Sequence, residues 1–319
     1  MPGLYRDNNF KDNCGFGLIT NRNGTKSHSV ITKSISALKS MKHRGGIGSD
    51  GKTGDGCGLL FNLDHDFFRD AILKEQKIEL PKHFAVAQLF LDLPLKDILP
   101  KIENILKKEG LQLDATRLVP VDKKILGVIA LDCLPNIYQL FVSPNNNLQK
   151  ELFESAILQA RKFIEVIFDN DEMLYFCSMS SKTIVYKGLM LPDAIDLFYK
   201  DLRKNNFTAS ICVFHQRFST NTSPKWYLAQ PFRLLAHNGE INAIRGNRNW
   251  AKARKSKFIT PLIPKLSKFK YLINETGSDS SSLDNMMELL EKGGMNIFRA
   301  IRMVLPPAWQ NGQILDAEI

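Results

Sequence analysis

The stretch KDNCGFGLIT, residues 11–20, sets a small reactive side chain, Cys14, against a Gly-x-Gly and then a run that reads as a strand. Only a short polar leader precedes the thiol. Its first nine residues, MPGLYRDNN, hold no apolar core of the kind a secretory signal needs. A free thiol has a pKa of about 8.5, so little of it is thiolate at neutral pH and a base must be supplied. The nucleophile's own α-amine, with a pKa of about 8, suits that task. Cys14 can use its amine only if the Asn13–Cys14 bond is cut. Residues 1–13 then read as a propeptide that masks the amine. Taken alone, the stretch fits a buried structural cysteine at a strand start better.

The rest of the chain bounds the choices. It has 319 residues, 44% of them apolar, enough for one large domain or two ordinary ones. No stretch approaches the roughly 18 uncharged apolar residues of a membrane span, so no membrane association is expected. Cys14, Cys57, Cys133, Cys177 and Cys212 are scattered without zinc-site or disulfide spacing, so no metal is expected. An odd cysteine count with no secretory signal favours a reducing, cytoplasmic location.

Net charge is +10, and residues 241–270 carry nine Lys/Arg and no Asp/Glu. Such a segment can contact nucleic acid or another acidic surface. Pro261 and Pro264 interrupt any continuous binding helix, and the segment reads better as a solvated helix and loop. No nucleic-acid partner is expected.

Strand-like runs fall at 15–20, 57–63, 84–93, 125–134, 137–143, 173–179, 183–188, 209–218 and 232–239. Helical patterns fall at 30–42, 95–109, 148–168, 192–204, 240–254, 280–292 and 295–304. In the first helix Val30, Ile31, Ile35, Leu38 and Met41 recur near helical spacing. Asp279 or Ser280 is the expected cap of the helix starting SSSLDNMMELLE. Strands come in runs, not in strict βαβ alternation, which predicts an α+β fold of antiparallel sheets layered with helices. GIGSDGKT, residues 46–53, satisfies a P-loop pattern. It lacks the preceding strand and following helix that phosphate binding needs, and its glycines read as letting a loop pass close to an active site or turn tightly.

Three later stretches bear on Cys14. HQRFSTNTSPKW (215–226) ends a strand-like run on Arg217, whose fork can hold a carboxylate. LAHNGEIN (235–242) presents Asn238 and Gly239 at a turn, a side-chain amide and a backbone N–H suited to stabilising an oxyanion. ETGSDSSSLDN (275–285) places Asp279 at a helix start, where it can accept from an ammonium. Each has a plainer reading: a surface ion pair, an Asn-Gly turn, a helix cap.

Together NCGFGLI, MKHRGG, DGKTGDGCG, HQRFSTNT, LAQPFR, LAHNGEIN, GNRNWA, ETGSDSSSLDN and LPPAWQN resemble the N-terminal glutamine amidotransferase domain of glutamate synthase large subunits, the bacterial NADPH-dependent type most nearly. The likeness runs over about residues 12–311. It implies a class II, N-terminal-nucleophile (Ntn) amidotransferase with a four-layer αββα sandwich, spanning 14–319 after a propeptide of 1–13. It implies that Cys14 attacks L-glutamine and that Asn238 and Gly239 form the oxyanion hole. Arg217 and Asp279 would bind the glutamine α-carboxylate and α-ammonium. Phe218, Thr220 and Asn221 would line the glutamine pocket, and Arg44 would support the nucleophile region. Ammonia would pass to 2-oxoglutarate in synthase domains that carry FMN and a 3Fe–4S cluster. Those domains and the small NADPH-oxidising subunit lie outside these residues, so no cofactor is expected here and the chain reads as C-terminally truncated. The alternatives are another Ntn amidohydrolase or an inactive domain that only binds a partner.

Overall fold

The computed structural model describes residues 15–168, 171–217, 223–275 and 277–305. Cys14, Phe218, Thr220 and Asn221, with the 1–13 leader, lie outside the described residues. The strands are β1 (Phe16–Thr20), β2 (Cys57–Asn62), β3 (Ala85–Leu91), β4 (Leu111–Leu118), β5 (Asn136–Pro144), β6 (Leu174–Ser180), β7 (Thr183–Gly188) and β8 (Ile211–Gln216). The helices are α1 (His28–Ser40), α2 (His65–Gln76), α3 (Leu99–Lys108), α4 (Val128–Asp132), α5 (Phe153–Glu165), α6 (Ile195–Phe198), α7 (Ile244–Ala253), α8 (Asp279–Lys292) and α9 (Ile297–Val304).

The strands form two four-stranded antiparallel sheets, ordered β1-β8-β2-β7 and β4-β5-β3-β6. Strand β3 shows why they stack. All its residues are buried, and they alternate between two cores. Val86 and Phe90 join Leu59, Phe61 and Tyr186 of the other sheet in an inter-sheet core. Ala85, Ala87, Leu89 and Leu91 pack outward against Ile102 and Leu106 of α3 and Ile157, Ala160 and Ile164 of α5. On the far side, α1 packs on β1 and β8 through its buried stripe Val30, Ile31, Ile35 and Leu38. The layers therefore run helix, sheet, sheet, helix. Each large apolar side chain so buried contributes about 1.5–3 kcal/mol, enough to hold helices whose own termini are poorly capped.

Several expectations fail for local reasons. Residues 125–134 read as a strand but contain α4. The loop 46–53 caps this helix: Asp50 Oδ2 accepts from Ile129 N at 3.1 Å, and Thr53 Oγ1 accepts from Ala130 N at 3.1 Å. Residues 232–239 read as a strand but form a turn, closed by Phe232 N donating to Leu235 O at 2.9 Å. Helix α2 and strand β4 form where the sequence pattern predicts no element. The 192–204 pattern breaks into α6 and flanking single turns. The cap of α8 is Ser278, accepting from Ser281 N at 3.1 Å, not Asp279 or Ser280.

Candidate active site

The register of one sheet brings the expected chemistry to one corner. Strand β8 lies between β1 and β2, pairing Phe16 with His215 and Cys57 with Gln216. Gln216 N donates to Gly15 O at 2.6 Å, and Arg217 N donates to Gly56 O at 2.7 Å. The residue following Cys14 is thereby bonded beside Arg217. Both Arg217 and Gly56 have φ of 120°, a backbone region that costs a non-glycine residue of order 1–3 kcal/mol. The paired strand ends hold that conformation and turn Arg217 out of the sheet, where its side chain is 46% exposed.

Asn238 reaches the same corner from the 236–241 segment. A methyl placed on Gly15 would lie 3.2 Å from Asn238 Oδ1. Asn238 and Gly239 are both exposed, facing the open side. Their segment is tied down on either flank. His237 exchanges two bonds with the Gln230 side chain, both at 2.8 Å. Asp279, 7% exposed, accepts from Ile241 N at 2.9 Å and from Ser280 N at 2.6 Å. The start of α8 therefore fastens the Asn-Gly turn, with His237 Nδ1 and Ser280 Oγ 3.2 Å apart. Arg44, half-buried, ends the single turn Lys42–Arg44, and Gly45 after it packs on the Gln216 side chain.

His215, Gln216, Gln230, His237 and Asp55 lie inside the sequence motifs, but residue type and spacing assign them no role. His215 bridges the two halves of the corner: Nδ1 lies 3.1 Å from Arg217 O, and Nε2 lies 3.2 Å from His237 O. Burial pushes its pKa down to about 4, against the two carbonyls, which favour the charged ring. The unfolded histidine titrates at about 6.5. Between these values the unfolded chain binds a proton that the fold refuses, so stability falls as pH drops from about 6.5 to 4. We expect up to about 3 kcal/mol of loss at 1.36 kcal/mol per unit. Urea titrations at the two pH values check it: His215→Gln must lose correspondingly less than the parent.

Two cations of the basic segment serve the fold, while Arg245, Lys252, Arg254, Lys257, Lys268 and Lys270 are exposed. Arg248 donates to Gly277 O at 2.5 Å, Ser278 O at 3.2 Å and Ser282 Oγ at 3.0 Å, and Lys265 pairs with Glu109 at 2.9 Å. Among the described residues no group of His, Cys, Asp and Glu side chains is arranged to hold a metal ion. No helix among them is long and apolar enough to cross a membrane.

Comparison with known proteins agrees with this architecture. The chain is 37% identical to "Ferredoxin-dependent glutamate synthase 1, chloroplastic/mitochondrial" of Arabidopsis thaliana, over 96% of this chain and 19% of that protein. It is 37% identical to "Glutamate synthase [NADPH] large chain" of Bacillus subtilis (strain 168), over 99% of this chain and 21% of that one. The large chain of Azospirillum brasilense is 35% identical over 97% of this chain and 21% of its own length. The chain thus spans about a fifth of the length of the curated relatives it matches. Residues 14–319 match the family described as "Glutamine amidotransferases class-II", and with two face-to-face antiparallel sheets under flanking helices the chain belongs to that family.

Proposed function

We propose that the protein carrying this chain hydrolyses L-glutamine at the corner of β1 and β8, and delivers the ammonia to 2-oxoglutarate as a glutamate synthase. The observation that carries the reading is Asn238, whose side-chain Oδ1 stands 3.2 Å from a methyl position on Gly15, the residue bonded to Cys14. The same side chain carries Nδ2, the donor that an oxyanion would need, and this supports the reading.

With residues 1–13 removed, the Cys14 amine takes the thiol proton and Sγ attacks the side-chain carbonyl of glutamine. Asn238 Nδ2 and the Gly239 N–H donate to the oxyanion. Collapse breaks the C–N bond, the α-ammonium gives its proton to the departing nitrogen, and ammonia leaves a glutamyl thioester. Water then adds to the thioester, its proton passing to the amine, and glutamate leaves as Sγ regains a proton. Arg217 holds the substrate α-carboxylate and Asp279 its α-ammonium, while Phe218, Thr220 and Asn221 line the pocket and Arg44 supports the nucleophile. The synthase domains, their FMN and 3Fe–4S cluster, and a small NADPH-oxidising subunit complete the proposal, with a cytoplasmic location. The NADPH assignment rests on motif resemblance alone, since identity to the ferredoxin-named and NADPH-named relatives is the same 37%.

Intact mass, measured before and after treatment with 6-diazo-5-oxo-L-norleucine, tests the reading. The expected result is loss of residues 1–13 and one adduct on Cys14. Cleavage elsewhere, or labelling of another residue, counts against it, and an N-acyl amide serves as the control substrate that should not turn over.

A further inference from the structure

Beneath Arg217 lies a group that the mechanism above does not use. Asp55 sits at the entrance to β2, with Oδ2 3.7 Å from Arg217 Nε. Its other oxygen, Oδ1, is buried and has no hydrogen-bond partner among the described residues. Beside it the Gln216 side chain is fully buried, and neither its Oε1 nor its Nε2 has a partner among them. Both side chains crowd residue 45. A methyl on Gly45 would stand 2.0 Å from Gln216 Nε2 and 2.8 Å from Asp55 Oδ1. Only glycine leaves room there for a carboxylate and an amide.

A carboxylate held in so confined a place, with one oxygen unsatisfied, costs free energy that must be offset by a specific partner. The cation at hand is Arg217. A guanidinium is planar and presents two edges, one of them formed by Nε. Asp55 faces the Nε edge, so the opposite edge is left to fork a second carboxylate from the open side. The separation is an ion-pair distance, longer than a hydrogen bond. Contacts of this kind commonly tighten only when substrate is bound. The backbone allows little else to adjust, because Arg217 N is bonded to Gly56 O, one residue from Asp55.

We propose that Asp55 is a positioning residue for Arg217: it holds the Nε edge of the guanidinium so that the other edge meets the α-carboxylate of glutamine, with Gly45 and Gln216 shaping the space it occupies. The inference rests on the reading of Arg217 given above and adds the residue that orients it.

Steady-state glutamine hydrolysis by the parent, Asp55→Asn, Arg217→Ala and the double variant tests it. Asp55→Asn keeps the shape and removes the charge. The expected result is a KM for glutamine raised about tenfold with kcat within about threefold, and no further rise when Asp55→Asn is added to Arg217→Ala. Thermal melting of each variant guards against misfolding, because a merely structural role lowers the active fraction and hence kcat while leaving KM in place. An unchanged KM, or a rise that multiplies in full with that of Arg217→Ala, overturns the role of Asp55 alone. A parent protein that turns over no glutamine overturns the reading of the site, and this role with it.

Discussion

Replacing Cys14 with serine is expected to reduce glutamine hydrolysis by at least about 10⁴-fold, since removal of a nucleophile in comparable enzymes costs that much or more. Serine keeps the α-amine and nearly the same shape, so the loss reports the sulfur itself. An amine with a pKa of about 8 can take the proton of a thiol of about 8.5 at a cost of only about 0.7 kcal/mol. A hydroxyl gives up its proton far less readily. None of the described cysteines can stand in. Cys57, Cys177 and Cys212 are buried and Cys133 is exposed. Burial pushes the Cys177 and Cys212 thiols up to about 12 and the Cys57 thiol higher still. The Cys133 thiol is also raised, by partial burial first and by the nearby Asp132 and Glu172 carboxylates. Background turnover through another sulfur is therefore not expected. The measurement is glutamate release from free L-glutamine by purified parent and Cys14→Ser protein. Residual activity within about tenfold of the parent defeats the Cys14 mechanism.

The elements around this chemistry were legible in proportion to how local their causes are. Strand β3 announced itself because both faces are buried and every position is apolar or, at Gln88, bonded to Gln139 Nε2 at 3.0 Å. Strand β4 did not. Its alternation is broken by Arg117, which points inward because Asp201 and Glu75 lie across the fold at 2.6 and 2.8 Å. Those partners are 84 and 42 residues away, and no window of sequence contains them. Helix α2 was hidden in the same way. Its cap, Asp64, bonds Phe67 N at 3.4 Å but also Thr208 N and Oγ1 at 2.7 Å. Residues 232–239 look like a strand because Phe232, Leu234, Leu235 and Ala236 are apolar, yet Asp284 Oδ1 takes the amides of Leu234 and Leu235 at 2.8 and 3.3 Å.

The site divides along the same line. Arg217, Asn238 and Asp279 could be named from residue type and motif. The structure sets Asn238 beside Gly15 and uses Asp279 to fasten the turn that presents it. Asp55 could not be found in this way. It carries no chemistry of its own in the sequence and gains a role only from the register of β2 and β8, which brings GDGCG under HQR.

The second large effect lies behind the site, where α8 is pinned to the sheet. Glu288 Oε2 receives both Arg161 Nη2 and, at 3.0 Å, Arg233 Nε. Arg233 Nη1 also donates to Phe176 O at 3.0 Å, and Nη2 lies 3.6 Å from Asp284 Oδ2. All four charged side chains are nearly or fully buried. Burial alone would raise the Glu288 pKa, but the two guanidiniums and nearby Lys162 and Lys292 bring it below the usual carboxylate value. Removing this carboxylate leaves two buried cations short of an acceptor, a change that typically costs about 3–5 kcal/mol. Glu288→Gln should therefore lower the urea midpoint sharply. Asp193→Ala, which breaks the exposed pair with Lys42 at 2.6 Å, should cost no more than about 1 kcal/mol. The loss should also reach the site. Helix α8 carries Asp279 in its first turn, two and a half turns before Glu288 at about 3.6 residues per turn. Loosening its grip on Arg233 frees both α8 and residues 233–235, so the Asn238–Gly239 turn loses its support. Glu288→Gln is expected to lower kcat for glutamine hydrolysis even at temperatures where the chain remains folded by circular dichroism. Equal midpoints for Glu288→Gln and the parent would mean that this carboxylate does not anchor the helix.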